Sequence, residues 1–227
     1  MAAHSAHIDE LSSSDVALEF LEACIHQVLY ARGIYPASIF EKRMKYGMTV
    51  YQSRHPEING YVRRVLGNTK PLMEVGIMDD LVMAFSPENT HSQVAKEKIV
   101  FSCSALAVLR SGEDMSIKFD DRVLDSLEES MKHSLANLLK LPKFSPDETE
   151  PWKFELQVHT SKATRGVDPD QDNVLKNVLR TNEWKADDRG NLGNSPSQDS
   201  VSSSYIGVSS FNSELFNCTI NRVRENR

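Results

Sequence analysis

Cysteine is scarce in this chain: Cys24, Cys103 and Cys218 stand far apart and never as a C-x-x-C pair. That excludes a disulfide scaffold and a cysteine zinc site. Free thiols fit a reducing compartment, the cytosol or nucleus. Long apolar runs are also missing, and none approaches the ~20 residues that span a bilayer as a helix. Residues 1–14 are polar and lack the apolar segment of a secretory signal, so they read as a disordered leader. Positive charge is in deficit: 26 Lys and Arg face 32 Asp and Glu, net −6. A whole-domain basic surface is therefore not expected, nor is direct sequence-specific binding of nucleic acid. Lys42, Arg43, Lys45 and Arg54, with Arg63 and Arg64, form a local basic cluster, which reads as a solvated face.

The signatures of chemistry are missing too. The histidines His4, His7, His26, His55, His91, His133 and His159 form no H-E-x-x-H pair, and there is no P-loop, G-x-G-x-x-G or G-x-S-x-G. His26 lies within a helical stretch and reads as a hydrogen-bonded structural histidine. Asp168, Asp170 and Asp172 open like a calcium loop. Asn173 then stands where that loop needs glycine, and Leu179 where it needs glutamate, so an EF-hand is rejected. No catalytic residue, metal site or cofactor is implied, and the chain reads as a non-enzyme.

What is present is a core. Hydrophobic residues make up 40% of the chain, enough to bury against one another in a domain of this length. From Asp15 to Ala31 the residues Leu18, Leu21, Ile25, Val28 and Leu29 recur at helical spacing, and Ala17, Phe20, Ala23 and Cys24 widen the stripe. A helix apolar over so much of its girth is the central helix of a fold. Met48 to Tyr51 reads as a short strand. His55-Pro56 opens a second helix with Ile58, Tyr61, Val62, Val65 and Leu66 on one face. Leu81–Phe85 and Val94–Cys103 read as strands joined by a turn over Ser86–Thr90. Val123, Leu127, Met131, Leu135, Leu138 and Leu139 form a third helical stripe. Trp152, Phe154, Leu156 and Val158 alternate with Lys153, Glu155, Gln157 and His159, the pattern of a strand with one buried face. Val174–Trp184 reads as a further strand. Lys185–Ser204, rich in Ser, Asn, Asp and Gly, reads as a mobile loop. Closing strands resume at Tyr205. Helices mixed with strands, without a βαβ repeat, imply an α+β fold: an antiparallel sheet packed on about three helices.

The block Tyr35-Pro36, Ile39-Phe40, a basic run with Lys42, Arg43 and Lys45, His55-Pro56-Glu57, Asn59 and Tyr61 is long and nearly free of gaps. It resembles the HORMA-domain accessory subunits of the translesion DNA polymerase zeta, relatives of the mitotic checkpoint HORMA proteins. Glu19–Glu22, Val158–Thr160 and Ala163–Arg165 fit as well. The resemblance implies a HORMA domain over residues 15–224, with a core at 15–184 and a C-terminal safety belt at 185–224. The belt wraps a short proline-containing segment of a partner. It also implies peptide-binding roles for Tyr35, Tyr61 and Trp184, and for Ala186, where the family carries a larger aliphatic residue. The family dimerises through an arginine of its third helix. The aligned residue here is Leu135, beside Lys132 and His133, so homodimerisation stays open.

The partners so implied are the catalytic subunit of DNA polymerase zeta, held through its peptide, and a second translesion polymerase. Shieldin-like or cell-cycle partners are further candidates. The expected setting is the nucleus, in DNA damage tolerance and repair. The alternative is a spindle-checkpoint HORMA protein or a regulator of a cell-cycle ubiquitin ligase.

Overall fold

A computed structural model describes residues 13–88, 95–105, 121–144, 151–160, 169–180, 203–213 and 215–225. The first helix, α1 (Ser13–Arg32), is the expected central one: Phe20, Leu21, Ile25, Val28 and Leu29 are all fully buried. It is apolar on several sides because it has several neighbours. It packs against α2 (Pro56–Glu74), α3 (Asp121–Leu138), the strand β2 (Met48–Ser53) and the sheet strand β4 (Glu97–Ala105). Gly33, at φ +70°, ends α1 in the left-handed region that glycine enters without a Cβ clash.

The strand expected at Met48–Tyr51 has a partner absent from the sequence reading, β1 (Phe40–Lys45). The two form a separate ribbon, closed by Tyr46 and Gly47, both at positive φ. That is the two-residue hairpin turn whose twist matches the strands it joins. Gln27 fixes the ribbon to α1. Its side-chain oxygen accepts the Tyr51 N–H at 3.0 Å, while its amide nitrogen reaches the Leu135 carbonyl of α3 at 3.5 Å.

The main sheet is antiparallel, in the order β5-β3-β4-β7-β6. Its other members are β3 (Met78–Pro87), β5 (Trp152–Thr160), β6 (Ser203–Asn212) and β7 (Phe216–Glu225). This is the α+β architecture expected, with one helix more. Ser86 and Pro87, expected in a turn, still pair with Lys153 and Trp152 of β5; of that expected turn, Asn89 and Thr90 lie outside the described residues. Of the strand expected over Val174–Trp184, the described part is instead helical, in α4 (Pro169–Arg180), which packs on α2. Val174, Leu175 and Val178 all turn towards the core. Spacing of i, i+1, i+4 puts them on one side of a helix, whereas a strand would throw Val174 and Leu175 to opposite faces. Residues 181–202 lie outside the described set, and with them Trp184, Ala186 and most of the expected loop. Ser203 and Ser204 at its end already belong to β6.

β7 is part of the core rather than an addition to it. Phe216, Cys218 and Ile220 are buried, and the Phe216 ring lies 6.1 Å from that of Phe20 on α1. Leu135, in the place of the family's dimer arginine, is fully buried as well.

One ionic cluster ties these parts together. Glu97 at the start of β4 is 4% exposed. Its carboxylate meets Arg32 Nη2 at the end of α1 at 2.8 Å, and Arg222 Nη2 and Arg224 Nε of β7 at 2.9 Å each. The Arg32 guanidinium also donates to the Pro142 carbonyl and lies over the Phe144 ring, 3.7 Å from its centre. Burial pulls Arg32 down to about 10, with Glu97 opposing the shift, so it remains a cation at neutral pH. Breaking a buried cluster by removing one partner costs about 3–5 kcal/mol, because the remaining charges stay desolvated. Glu97→Gln is expected to lower the unfolding free energy by roughly that amount. Arg224→Ala, at a half-exposed position, is expected to cost under ~1 kcal/mol. Urea melts of the two variants against the parent chain measure both.

His26 is buried on α1, and the hydrogen bond expected of it is not found: neither ring nitrogen has a partner among the described residues. Burial, helped by the positive charges of Arg63 and Lys45, lowers it to about 4. A folded-state value below the unfolded 6.5 means that the unfolded chain takes up the proton first. The contribution of His26 is thus present above pH 6.5 and is lost as pH falls towards 4. At about 1.4 kcal/mol per unit, up to ~3 kcal/mol of stability goes in that window. His26→Leu is expected to flatten the stability-versus-pH slope between pH 6.5 and 4.5, as read from urea melts at each pH.

Candidate peptide-binding edge

β5 is the last strand on its side of the sheet and is hydrogen-bonded to β3 alone among the described strands. Its faces follow the alternation in the sequence. Leu156 is buried, Trp152, Phe154 and Val158 pack against the core, and Lys153, Glu155 and His159 are exposed. The orientation of its peptide groups follows from two hydrogen bonds. The Pro151 carbonyl accepts the Glu88 N–H at 2.8 Å, on the β3 side. The Leu156 N–H turns the other way and donates to the Tyr61 hydroxyl at 2.9 Å. Main-chain groups alternate along a strand, so Phe154 and Val158 share the outward direction of Leu156. The outer edge thus presents a ladder of main-chain donors and acceptors, with Tyr61 already bonded to one of them.

Tyr61 is held there by the start of α2. The Ser53 hydroxyl accepts the His55 N–H at 3.0 Å, and Asn59 Nδ2 donates to the Ser53 carbonyl at 2.9 Å. Pro56 occupies the first helical turn, where its missing N–H costs nothing. The His55-Pro56-Glu57-Ile58-Asn59 stretch is thus a local clamp that sets the helix, and the helix delivers Tyr61 one turn later. Tyr35 arrives from the other direction, two residues past the Gly33 break. Both rings meet Phe154: Tyr61 at 5.7 Å and 67°, Tyr35 at 6.3 Å and 88°, both edge to face. Burial pushes both phenols above their ordinary range. For Tyr61 the Leu156 N–H works against that rise, and for Tyr35 the Glu88 carboxylate adds to it.

The structure therefore brings together Tyr35 and Tyr61 of the four expected site residues, while Trp184 and Ala186 lie outside the described residues. It adds Phe154, on which both tyrosines converge. Alternation placed Phe154 on the inner face of β5, but nothing in the spacing joined it to residues ~90–120 positions earlier. Beside it Trp152 stacks on Phe144 at 4.0 Å, and Lys96 Nζ lies 5.7 Å from the indole.

Other candidate chemistry is quiet. No cluster of His, Cys, Asp and Glu suited to a metal occurs among the described residues. No described helix is long and apolar enough to cross a membrane. The basic cluster is largely neutralised in place. Arg43 pairs with Glu41, Lys45 with Glu19 and Arg63 with Glu22, and Arg54 donates to the Ser38 carbonyl. It is the solvated face expected of it.

No family model matches the chain. Individual relatives do. The human protein "Mitotic spindle assembly checkpoint protein MAD2B" is 36% identical over 111 residues, 49% of this chain and 51% of the relative. The Schizosaccharomyces pombe "DNA polymerase zeta processivity subunit" is 29% identical over 133 residues, 58% of this chain and 61% of the relative. The chain thus spans about half the length of the curated relatives it matches. The likeness of folds reaches much further. A chain in the crystal structure of the mitotic checkpoint complex superposes with a TM-score of 0.67 at 16% identity, covering 94% of this chain and 99% of that one. HTP-2, solved bound to HTP-3 motif-6, gives 0.59 at 10% identity, covering 96% and 93%. This chain therefore has the HORMA fold, and its sequence resembles the accessory subunits of DNA polymerase zeta.

Proposed function

We propose that this chain is a non-catalytic adaptor that captures a short, proline-containing segment of a partner protein along the outer edge of β5. The observation that carries the reading is that edge itself. It has no neighbouring strand among the described residues, its Leu156 N–H faces outward, and three aromatic rings stand beside it. An extended peptide can add there as a sixth strand, gaining affinity from main-chain hydrogen bonds and selectivity from side-chain pockets. The Tyr61 hydroxyl stands in for such a ligand at one position.

The sheet order supports closure over the peptide. β5 and β6 are opposite edges, about 19 Å apart at the usual strand spacing. In this reading residues 185–224 are the strap, and Trp184 and Ala186 are peptide-binding residues beside its start. The β6–β7 hairpin anchors the strap by filling the edge of β4. The fold neighbour HTP-2 was solved with a motif of another protein bound, in keeping with this use of the fold.

The partners that fit are the catalytic subunit of DNA polymerase zeta and a second translesion polymerase, in the nucleus, in DNA damage tolerance and repair. The support is the name and sequence of the polymerase relative. A checkpoint role is the second reading, favoured by the name of the human relative. Affinity capture of the tagged chain with mass spectrometry separates them. A polymerase catalytic subunit among the captured proteins supports the first reading; a spindle-checkpoint activator in its place supports the second.

Tyr61→Ala and Trp184→Ala are each expected to weaken a proline-containing partner peptide by about 2 kcal/mol or more, roughly thirtyfold in Kd by calorimetry. Tyr61→Ala also removes a ring from Phe154 and a partner from Leu156, so its melting temperature should fall as well. A folded Tyr61→Ala chain with unaltered affinity would make Tyr61 a packing residue only.

A further inference from the structure

Cys103 and Cys218 are sequence strangers brought into contact by the sheet. They sit directly opposite each other in the antiparallel register of β4 and β7, and their sulfurs are 3.0 Å apart, with the Cys103 S–H directed at Cys218 Sγ. Both are free thiols, 2% and 1% exposed. Directly opposed residues of antiparallel strands have Cα atoms about 4.5–5.5 Å apart. That lies inside the ~4.4–6.8 Å range that a disulfide bridges, so joining the sulfurs needs no displacement of either strand. The third cysteine, Cys24, is buried on α1 and makes no such cross-strand pair.

We propose that Cys103 and Cys218 form a redox cross-linking site that fastens the C-terminal hairpin to the sheet. The oxidant is a low-molecular-weight disulfide of the glutathione class. One protein thiol loses its proton, attacks a sulfur of that disulfide and forms a mixed disulfide, releasing one small thiolate. The second protein thiol, likewise deprotonated, attacks the mixed disulfide at the protein sulfur. The Cys103–Cys218 bond forms, the second small thiolate leaves, and the two protons end on the released thiols. Two protein thiols are oxidised and one small disulfide is reduced to two thiols.

Burial makes this reaction conditional. A thiolate does the attacking, and the hydrogen bond to Cys218, with burial behind it, holds Cys103 well above the ordinary thiol range. In the closed sheet the pair is slow to react. Parting of β7 from β4 exposes both sulfurs, and re-pairing then sets them opposite each other again. The bond closes a loop over a separation of 115 residues, removing freedom from the unfolded chain. Its consequence for ligand release, a strap that can no longer detach at β7, rests on the peptide-trapping reading; the cross-link itself does not.

The test uses the whole chain without any peptide, so it stands or fails apart from that reading. The protein is incubated with oxidised glutathione over a range of ratios to reduced glutathione, alkylated under denaturing conditions and mapped by mass spectrometry. The expected result is a single intramolecular Cys103–Cys218 link with Cys24 alkylated. A rise in melting temperature on the order of 10 °C should accompany it and be reversed by dithiothreitol. Cys24→Ala should retain both signals. Cys103→Ala and Cys218→Ala should lose both, and Cys218→Val serves in case the alanine cavity unfolds the chain. Three thiols that stay alkylatable after prolonged oxidation, or a link through Cys24 or between two molecules, would overturn the proposal.

Discussion

Glu97 joins three stretches of chain that are remote in sequence: the end of α1 through Arg32, the start of β4 that bears it, and the end of β7 through Arg222 and Arg224. A carboxylate this buried is tolerable only with its charge compensated and its oxygens occupied. The compensation comes mostly from β7. β7 therefore belongs beside β4 electrostatically as well as through its ladder and through Phe216, Cys218 and Ile220 in the core. Arg32 adds a second tie, since it also covers Phe144, which stacks on Trp152 of β5. The cluster thus reaches both sides of the sheet.

The placement of β7 decides which strands stand at the two edges of the sheet among the described residues, β5 and β6. With the C-terminal hairpin on β4, the other end of the sheet terminates at β5, whose outward N–H and C=O groups must find partners elsewhere. Tyr61 meets one of these needs at Leu156. An uncovered edge is a hazard for a soluble chain, since it templates pairing with other molecules. Here the hazard and the proposed function are the same feature, an edge beside which Tyr35, Tyr61 and Phe154 stand.

Much of this architecture is legible from local pattern. The girth of apolar residues on α1 announces a buried helix, and strict alternation announces β5. Pro56 marks the start of α2. Where the reading failed, it failed for identifiable reasons. The apolar pairs Val174-Leu175 and Val178-Leu179, split by Lys176 and Asn177, make a short segment for which helix and strand compete, and packing on α2 settles it as α4. β1 is nearly all polar after Phe40, so it has no hydrophobic period to read; its pairing with β2 and the Tyr46-Gly47 turn create it. Helical position leaves His26 at the core or its rim, and the lack of a hydrogen-bond partner among the described residues depends on the ribbon and on α2 around it.

The sequence by itself determined the helices with strong periodicity, the α+β class, the absence of any catalytic or metal motif, and two of the residues that stand at the candidate edge. The helices and the class follow from spacing along the chain; Tyr35 and Tyr61 follow from the resemblance of the block around them to a known family. Only the tertiary structure decided that Phe154 joins Tyr35 to Tyr61, that Glu97 gathers three arginines, that Cys103 faces Cys218, and that β5 rather than β4 stands at an edge among the described strands. Each of those depends on strand order and register between segments up to 127 residues apart. Periodicity reports which face of an element is buried, not which other element buries it.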